Sequence, residues 1–423
     1  MSSREAAVAA ERYVADPALV GSLQRRTLAV VVAVQVLAGA AFGAGITVAA
    51  LLTAQLTGND SLSGLAATSF TLGSALAAFL IGQATQRWGR RDGLALGFAA
   101  GGAGSLVVVV AAALGSVSLL LAAMFVSGSG IATGLQARYA GTDLARPDRR
   151  GAAVSVAMVS TALGAVAGPN LADPMGALAG TLGLPPLSGP FLLTTVAFLA
   201  AAGVLLALMR PDPFLVARAL EARGPGPATP PTSGGRAAPG AAVGATVMVL
   251  TQVTMVGIMT MTPVHMREMH HALGAVGLVI SVHIGCMYLP SPLTGALVDR
   301  AGRIPVAIAS GATLLGAGVV AAFAPDASLG LLTVALALLG LGWNLGLISG
   351  TAMVVDATPP ARRPRTQGSI DVLVALGGAG GGAASGLVMA GLGYSGLTLA
   401  GGVVAVLLVP VVIWSRSRVA SQA

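Results

Sequence analysis

The sequence has no lysine, one cysteine and few charges: Asp, Glu and Arg together make up 9% of its 423 residues, and aromatic residues 4%. A soluble protein carries about a quarter charged residues to cover its surface, so a soluble enzyme is excluded at the outset. The single cysteine, Cys286, rules out an intramolecular disulfide framework and a cysteine-rich zinc site. The chain also lacks an HExxH motif, a nucleophile beside a base and paired carboxylates, so it does not read as an integral-membrane enzyme.

What it has in abundance is apolar length: 55% hydrophobic residues and a mean hydropathy of +0.86. A helix needs roughly 20 apolar residues to cross a hydrocarbon core of about 30 Å. Twelve stretches qualify: 28–55, 62–85, 93–113, 117–141, 151–171, 189–209, 241–262, 273–298, 304–323, 328–354, 367–391 and 394–414. None alternates apolar with polar residues as a membrane β-strand does, so the expected fold is all-α. The charged N-terminus (Arg4, Glu5, Glu11, Arg12, Asp16, Arg25, Arg26) lacks the short apolar core of a signal peptide.

Arginine position sets the expected orientation. Twenty-two of the 23 arginines fall at the ends of spans or in loops on one side, and Arg267 is the lone exception. By the positive-inside rule that side is cytoplasmic, with both termini, and the net charge of +8 reports topology and contact with anionic lipid rather than nucleic acid. The chain then divides into an N-terminal tail (1–27), a six-helix bundle (28–209), a linker (210–240) rich in proline and glycine and read as flexible, a second bundle (241–414) and a C-terminal tail (415–423).

A shift of 213 residues lays one half on the other. Gly82 falls on Gly295, Arg87 on Arg300, Gly89 on Gly302, Arg90 on Arg303, Asp143 on Asp356, Pro147 on Pro360, Arg149 on Arg362, Gly164 on Gly377 and Gly168 on Gly381. Coincidences of Arg, Asp and Pro in separate loops mark a parallel repeat of two six-helix units, an architecture of secondary transporters.

The loop GQATQRWGRR (Gly82 to Arg91) and its partner GALVDRAGR (Gly295 to Arg303) resemble the G-x-x-x-D-R-x-G-R-[RK] signature of the major facilitator superfamily, with Gln86 in place of the acid in the first copy and Asp299 present in the second. The resemblance implies twelve transmembrane helices in two pseudo-symmetric bundles. It also implies an inner gate formed by Gly82, Arg87, Gly89, Arg90, Arg91, Gly295, Asp299, Arg300, Gly302 and Arg303 that holds the outward-open state. Gly164, Gly168 and Pro169 in the fifth stretch look like the motif of the family's proton-coupled drug exporters, although Ala172 and Asp173 replace its final glycines. Those exporters usually carry an Arg in the fourth span ahead of Gly128-Ser129-Gly130, where this chain has Met124.

Ionisable residues inside a membrane are expensive and point to function. His283, about 15 Å into its span, Asp371, and an expected Arg138/Asp143 pair closing the fourth span are the proton-coupling candidates. By resemblance, spans one, four, seven and ten line the cavity. Met248, Gln252, Met255 and Met259 share one helical face, and Gln35, Met124, Trp343 and Asn344 complete an uncharged pocket suited to an amphipathic or hydrophobic organic substrate. The expected system is a monomer in lipid, with a small-molecule substrate, a proton gradient as energy source, no cofactor and no nucleic acid, in the bacterial cytoplasmic membrane. Two alternatives stand: a transition-metal exporter using His265, His270 and His271 with the soft residues up to Met287, or an importer of an uncharged metabolite.

Overall fold

A computed structural model describes residues 13, 16–57, 63–223, 239–271, 273–325 and 328–407, and every regular element among them is helical. Ten of these helices are long and apolar enough to cross a membrane. The count reaches twelve because Ser63–Trp88, at 26 residues, supplies the second span, and because Arg363–Val406 holds the eleventh and twelfth, separated at Gly393. Gly393 has φ +69°, a left-handed conformation that an L side chain resists. The other spans are Pro17–Thr57, Arg90–Leu114, Val117–Ala140, Arg150–Asn170, Gly189–Leu208, Pro239–Glu268, Leu273–Tyr288 continued by Ser291–Ala301, Arg303–Phe323 and Leu329–Ala357.

Two boundaries differ from the sequence reading. The first helix starts at Pro17 rather than at residue 28, because Asp16 caps it by accepting the Ala18 N–H at 2.9 Å. Within the linker, Pro213–Arg223 is a helix rather than flexible chain; residues 224–238 and the C-terminal tail lie outside the described residues.

The chain forms two compact units. One comprises Met1–Arg146, Val156–Arg236 and Pro359–Val372, the other Pro147–Ser155, Ala237–Thr358 and Leu373–Ala423. The fifth and eleventh spans are each shared, their first residues packing with helices of the other half of the sequence. In the first unit the fourth span packs on the first, second and third; in the second unit the tenth span packs on the seventh, eighth and ninth. Large apolar side chains such as Leu72, Leu76, Leu80, Leu106, Val110 and Val196 face outward, the reverse of a soluble surface and the pattern expected of helices solvated by lipid.

Lipid tails are as apolar as leucine, so helices in a membrane associate through close packing rather than through the hydrophobic effect. Small residues provide it here. A Cβ on Gly101 would meet the Gly130 nitrogen at 2.6 Å and one on Gly104 the Ser127 nitrogen at 2.5 Å, so the third and fourth spans touch backbone to backbone. Ser129 donates to the Gly97 carbonyl at 3.1 Å, and in the second unit Ser310 donates to the Gly342 carbonyl at 2.6 Å. The 213-residue shift maps 97 onto 310 and 129 onto 342, so the repeat keeps this bond and exchanges which helix donates it.

The Gly164/Gly168 tract presses on the first span in the same way: a Cβ on Gly164 would lie 1.9 Å from the Val36 oxygen, one on Gly168 2.4 Å from the Ala40 oxygen, and one on Gly39 2.3 Å from the Thr161 oxygen. Gly164→Leu therefore forces the two helices apart, an overpacking cost of about 2–3 kcal/mol, and is expected to lower the melting temperature of the purified protein by roughly 5 °C. Gly203→Ala, in open space, is the control and leaves it unchanged. Equal melting temperatures for Gly164→Leu and the parent would show that these helices need no such approach.

Candidate functional site

The two signature loops build the same device twice. Gly89 and Gly302 turn the chain at φ +99° and +96°, and the arginine after each reaches back to the acid at the end of the helix two spans later. Arg90 donates from Nε to Asp143 Oδ2 at 2.8 Å and from Nη2 to Oδ1 at 3.2 Å; Arg303 donates from Nε to Asp356 Oδ2 at 2.8 Å. Arg90 is fully buried and also donates to Gln367 Oε1 at 2.6 Å, whereas Arg303 is partly exposed, donates to the Pro147 carbonyl at 2.6 Å and shares Asp356 with Arg150. Arg87 and Arg300 are exposed.

The first glycine of each loop allows a backbone contact. A Cβ on Gly82 would meet Gly368 Cα at 2.9 Å in the first unit, and one on Gly295 would meet Ser155 Oγ at 2.0 Å in the second. The repeat also places Gln86 and Asp299 alike. Asp299 accepts the N–H groups of Gly151 at 2.9 Å and Ala152 at 2.8 Å, the positive end of the fifth span, while Gln86 accepts the Arg365 N–H at 3.4 Å and donates to the Ala361 carbonyl at the start of the eleventh. A carboxylate at a helix N-terminus makes a charge-assisted bond roughly twice as strong as a neutral one, so the Gln86 latch is the weaker copy.

The coupling candidates pair differently from the sequence expectation. Arg138 does not bind Asp143: the chain turns past the end of the fourth span, Asp143 folds back to Arg90, and Arg138, on the last helical turn, points to the eleventh span. There its Nη2 donates to Asp371 Oδ1 at 2.9 Å and to the Tyr139 hydroxyl at 3.0 Å, and that hydroxyl donates to Asp371 at 3.3 Å. The guanidinium groups of Arg138 and Arg90 lie 4.4 and 6.0 Å from the Tyr139 ring centre, so one buried ring links both ion pairs. Among the described residues, Asp371 Oδ2, Arg138 Nε, Arg90 Nη1 and Gln367 Nε2 are buried without a hydrogen-bond partner.

His283 is fully buried with Nδ1 2.9 Å from the Leu336 carbonyl, which makes Nδ1 the protonated nitrogen and clamps the eighth span to the tenth; Nε2 has no hydrogen-bond partner among the described residues. Two cavity candidates are packed elsewhere. Met124 sits in an apolar cluster with Leu52, Val108, Leu120 and Phe191, because it faces into the bundle core. Asn344 spends its amide within the helices, donating to the Met287 carbonyl at 2.7 Å and Ser291 Oγ at 2.8 Å and accepting from Thr294 at 2.6 Å. Gln35 is buried, and its Oε1 has no hydrogen-bond partner among the described residues. Gln252 accepts the Trp343 indole N–H at 2.7 Å, Tyr288 meets the indole edge-on at 5.7 Å, and Met255 and Met259 continue the Gln252 face. Among the described residues no three His, Cys, Asp or Glu side chains converge on one metal position, so His265, His270 and His271 form no such cluster.

Asp212 escaped the sequence reading because it lies in the Pro-rich linker; the signal was an acid followed by Pro213 and the apolar run Phe214-Leu215-Val216, a helix-start pattern. Its Oδ1 accepts the N–H groups of Phe214 at 3.0 Å and Leu215 at 3.1 Å, and its Oδ2 accepts the Arg91 N–H at 2.8 Å, tying the linker helix to the first signature loop. The fit leaves no room for a Cβ on Gly89. Burial pushes the Asp212 carboxyl from 3.8 up to about 6, helped by Asp143 and opposed by the Arg91 and Leu215 N–H groups and by Arg90.

A raised carboxyl means that the folded state carries a penalty for ionisation, full above pH 6 and relieved as the pH falls toward 3.8. Between pH 7.5 and 5.0 the parent is therefore expected to gain about 1 kcal/mol, or roughly 2 °C in melting temperature, relative to Asp212→Asn. Parallel pH profiles for the two proteins would exclude this. For the Arg138–Asp371 pair, Arg138→Met or Asp371→Leu alone strands a buried charge, a loss of about 3–5 kcal/mol, while the double variant restores stability to near the parent level. Thermal melting of all four proteins checks it, and a double variant no more stable than the singles would contradict it.

Comparisons with known proteins give this geometry its context. The sequence profile of the Major Facilitator Superfamily matches residues 31–282 and 242–422. The MFS-type transporter YdeG of Bacillus subtilis (strain 168) is 54% identical over 415 residues, 96% of each chain. The riboflavin transporter RfnT of Brucella anthropi is 29% identical over 357 residues, 83% of this chain and 85% of its own. Among solved structures, the human organic anion transporter MFSD10 shares the fold with a TM-score of 0.75 at 17% identity, over 92% of this chain and 99% of that one. A profile match over most of the chain and a relative identical at more than half of its positions place this protein, a multi-pass membrane transporter and not an enzyme, in the Major Facilitator Superfamily.

Proposed function

We propose that this transporter exports small amphipathic or hydrophobic organic compounds in exchange for protons, by alternating access, as a monomer in the bacterial cytoplasmic membrane with both termini inside. The observation that carries the reading is Asp371. Its carboxylate lies in a membrane span with one oxygen held by Arg138 and Tyr139 and the other buried without a partner, so it offers an unoccupied acceptor to a proton beside a cation it can release. Protonation removes the charge that holds Arg138, and the two residues sit on different spans, so the proton and the helix contact are coupled. His283, clamped by the Leu336 carbonyl, serves as the structural partner of the tenth span in this scheme. Export rather than import is supported by the Gly164–Gly168–Pro169 tract and its backbone contacts with the first span.

A second reading is uptake of an uncharged heteroaromatic metabolite. It is favoured by the Trp343, Tyr288 and Gln252 group, which offers ring edges and an amide whose Nε2 is not used by the indole, and by the substrate named for the Brucella relative.

Reconstituted protein under an imposed pH gradient tests both. Asp371→Asn is expected to abolish gradient-driven transport, at least tenfold, while retaining substrate counterflow, which needs no net proton movement. Gradient-driven transport that survives in Asp371→Asn would remove Asp371 from coupling. Riboflavin that moves inward faster than hydrophobic dyes move outward would favour the second reading.

A further inference from the structure

Away from these groups, at the end of the second unit remote from the Arg303 loop, a cavity of about 550 Å³ opens between the seventh span and the junction of the eleventh and twelfth. That volume lies in the range of drug-sized ligand sites. Its wall is ordered by contacts within the unit. The rings of His265 and Tyr394 stack in parallel, 4.0 Å apart with a 6° interplanar angle, and the Tyr394 hydroxyl is fixed by Thr262 Oγ1 at 2.9 Å. The left-handed Gly393 turns the chain so that Tyr394 can face the seventh span. Met261, His265 and Glu268 recur at i, i+4 and i+7 on one helical face, and Met389 lines the cavity from the eleventh span.

Among the described residues Glu268 is the only formally charged one lining this cavity. It is exposed, and the neighbouring Arg267 is directed to the His271 carbonyl at 3.2 Å. A carboxylate, a fixed aromatic stack and two polarisable thioethers favour a cation on an apolar body, since cations lie well against aromatic faces and thioethers adapt to irregular apolar shapes.

We infer that this cavity is a binding site for organic cations, distinct from the Asp371 network, that takes an ammonium or phosphonium group on an apolar body between Glu268 and the His265–Tyr394 stack. The inference is independent of proton coupling and of transport direction, because it concerns equilibrium binding. The same chemistry is offered by a free amphiphile and by the ethanolamine headgroup of a membrane lipid.

Equilibrium dialysis of purified protein against radiolabelled tetraphenylphosphonium tests the site, with neutral triphenylphosphine oxide as the uncharged counterpart. The expected result is that Glu268→Gln weakens tetraphenylphosphonium binding about tenfold, Met389→Trp fills the cavity and abolishes it, and Glu221→Gln, the loss of an exposed charge elsewhere, leaves it unchanged. Triphenylphosphine oxide binds about tenfold more weakly to the parent and equally to parent and Glu268→Gln. In nanodiscs, phosphatidylethanolamine that competes with the probe in the parent but not in Glu268→Gln assigns the site to lipid; no competition assigns it to a free amphiphile. Identical dissociation constants for the parent, Glu268→Gln and Met389→Trp, with melting temperatures unchanged, would overturn the inference, as would a probe affinity that is the same with and without the positive charge.

Discussion

The hydrocarbon core offers no water to a peptide group or a charge, and that constraint shapes the whole chain. Each backbone group must be satisfied within its own helix, which leaves helices as the regular elements of the described spans. A charge left in the core is costly without an opposite one, and the two most deeply buried arginines are paired: Arg90 holds Asp143 and Arg138 holds Asp371. Because apolar side chains gain nothing by leaving lipid for protein, association falls to backbone proximity, which glycines such as Gly39, Gly101, Gly104, Gly164 and Gly168 supply. Composition, packing and the position of the ionisable groups are thus three results of one missing solvent.

The duplicated half refines this. The same turn glycine, arginine and acid appear at Gly89–Arg90–Asp143 and Gly302–Arg303–Asp356, with the acid in the loop closing the fourth span in one copy and near the end of the tenth in the other. The first copy is the more buried: its arginine is fully buried and tied to a second network through Gln367 and the Tyr139 ring, while the second copy is partly exposed and shares its acid with Arg150. A buried charge pair is harder to break than an exposed one once a partner is withdrawn. The compact unit that holds Asp371 is also the one whose signature-loop arginine, Arg90, is fully buried.

The spans, their number and the paired loops were legible because they rest on period, length and residue type, which a sequence displays directly. The partner of Arg138 was not. Asp143 lies five residues away and Asp371 more than two hundred, and only the packing of the fourth span against the start of the eleventh decides between them. Met124 and Asn344 illustrate a second limit. A helical wheel identifies which residues share a face, but not whether that face meets lipid, another helix or a cavity, and both side chains are consumed by neighbours. Asp212 illustrates a third, since a composition rich in proline and glycine hid an acid that caps one helix and holds the start of another.

Gln86 shows how one uncharged side chain alters the logic of the repeat. In the second unit Asp299 places a full negative charge on the amide groups opening the fifth span; in the first unit Gln86 offers an amide oxygen to the Arg365 N–H at 3.4 Å and uses its nitrogen on the Ala361 carbonyl. An amide gains little from the helix dipole, because its donor and acceptor respond to the field in opposite senses. The charge that opposes cations near the first loop is instead carried by Asp143 and Asp212, both contacting residues 90–91 rather than the eleventh span. Electrostatic attachment to the start of the eleventh span then rests on Arg90 through Gln367 and on Arg138 through Asp371. Of these two bonds only the second is an ion pair. With Gln86 in place of an acid in the first signature loop, Asp371 is the carboxylate through which the start of that helix is tied to Arg138.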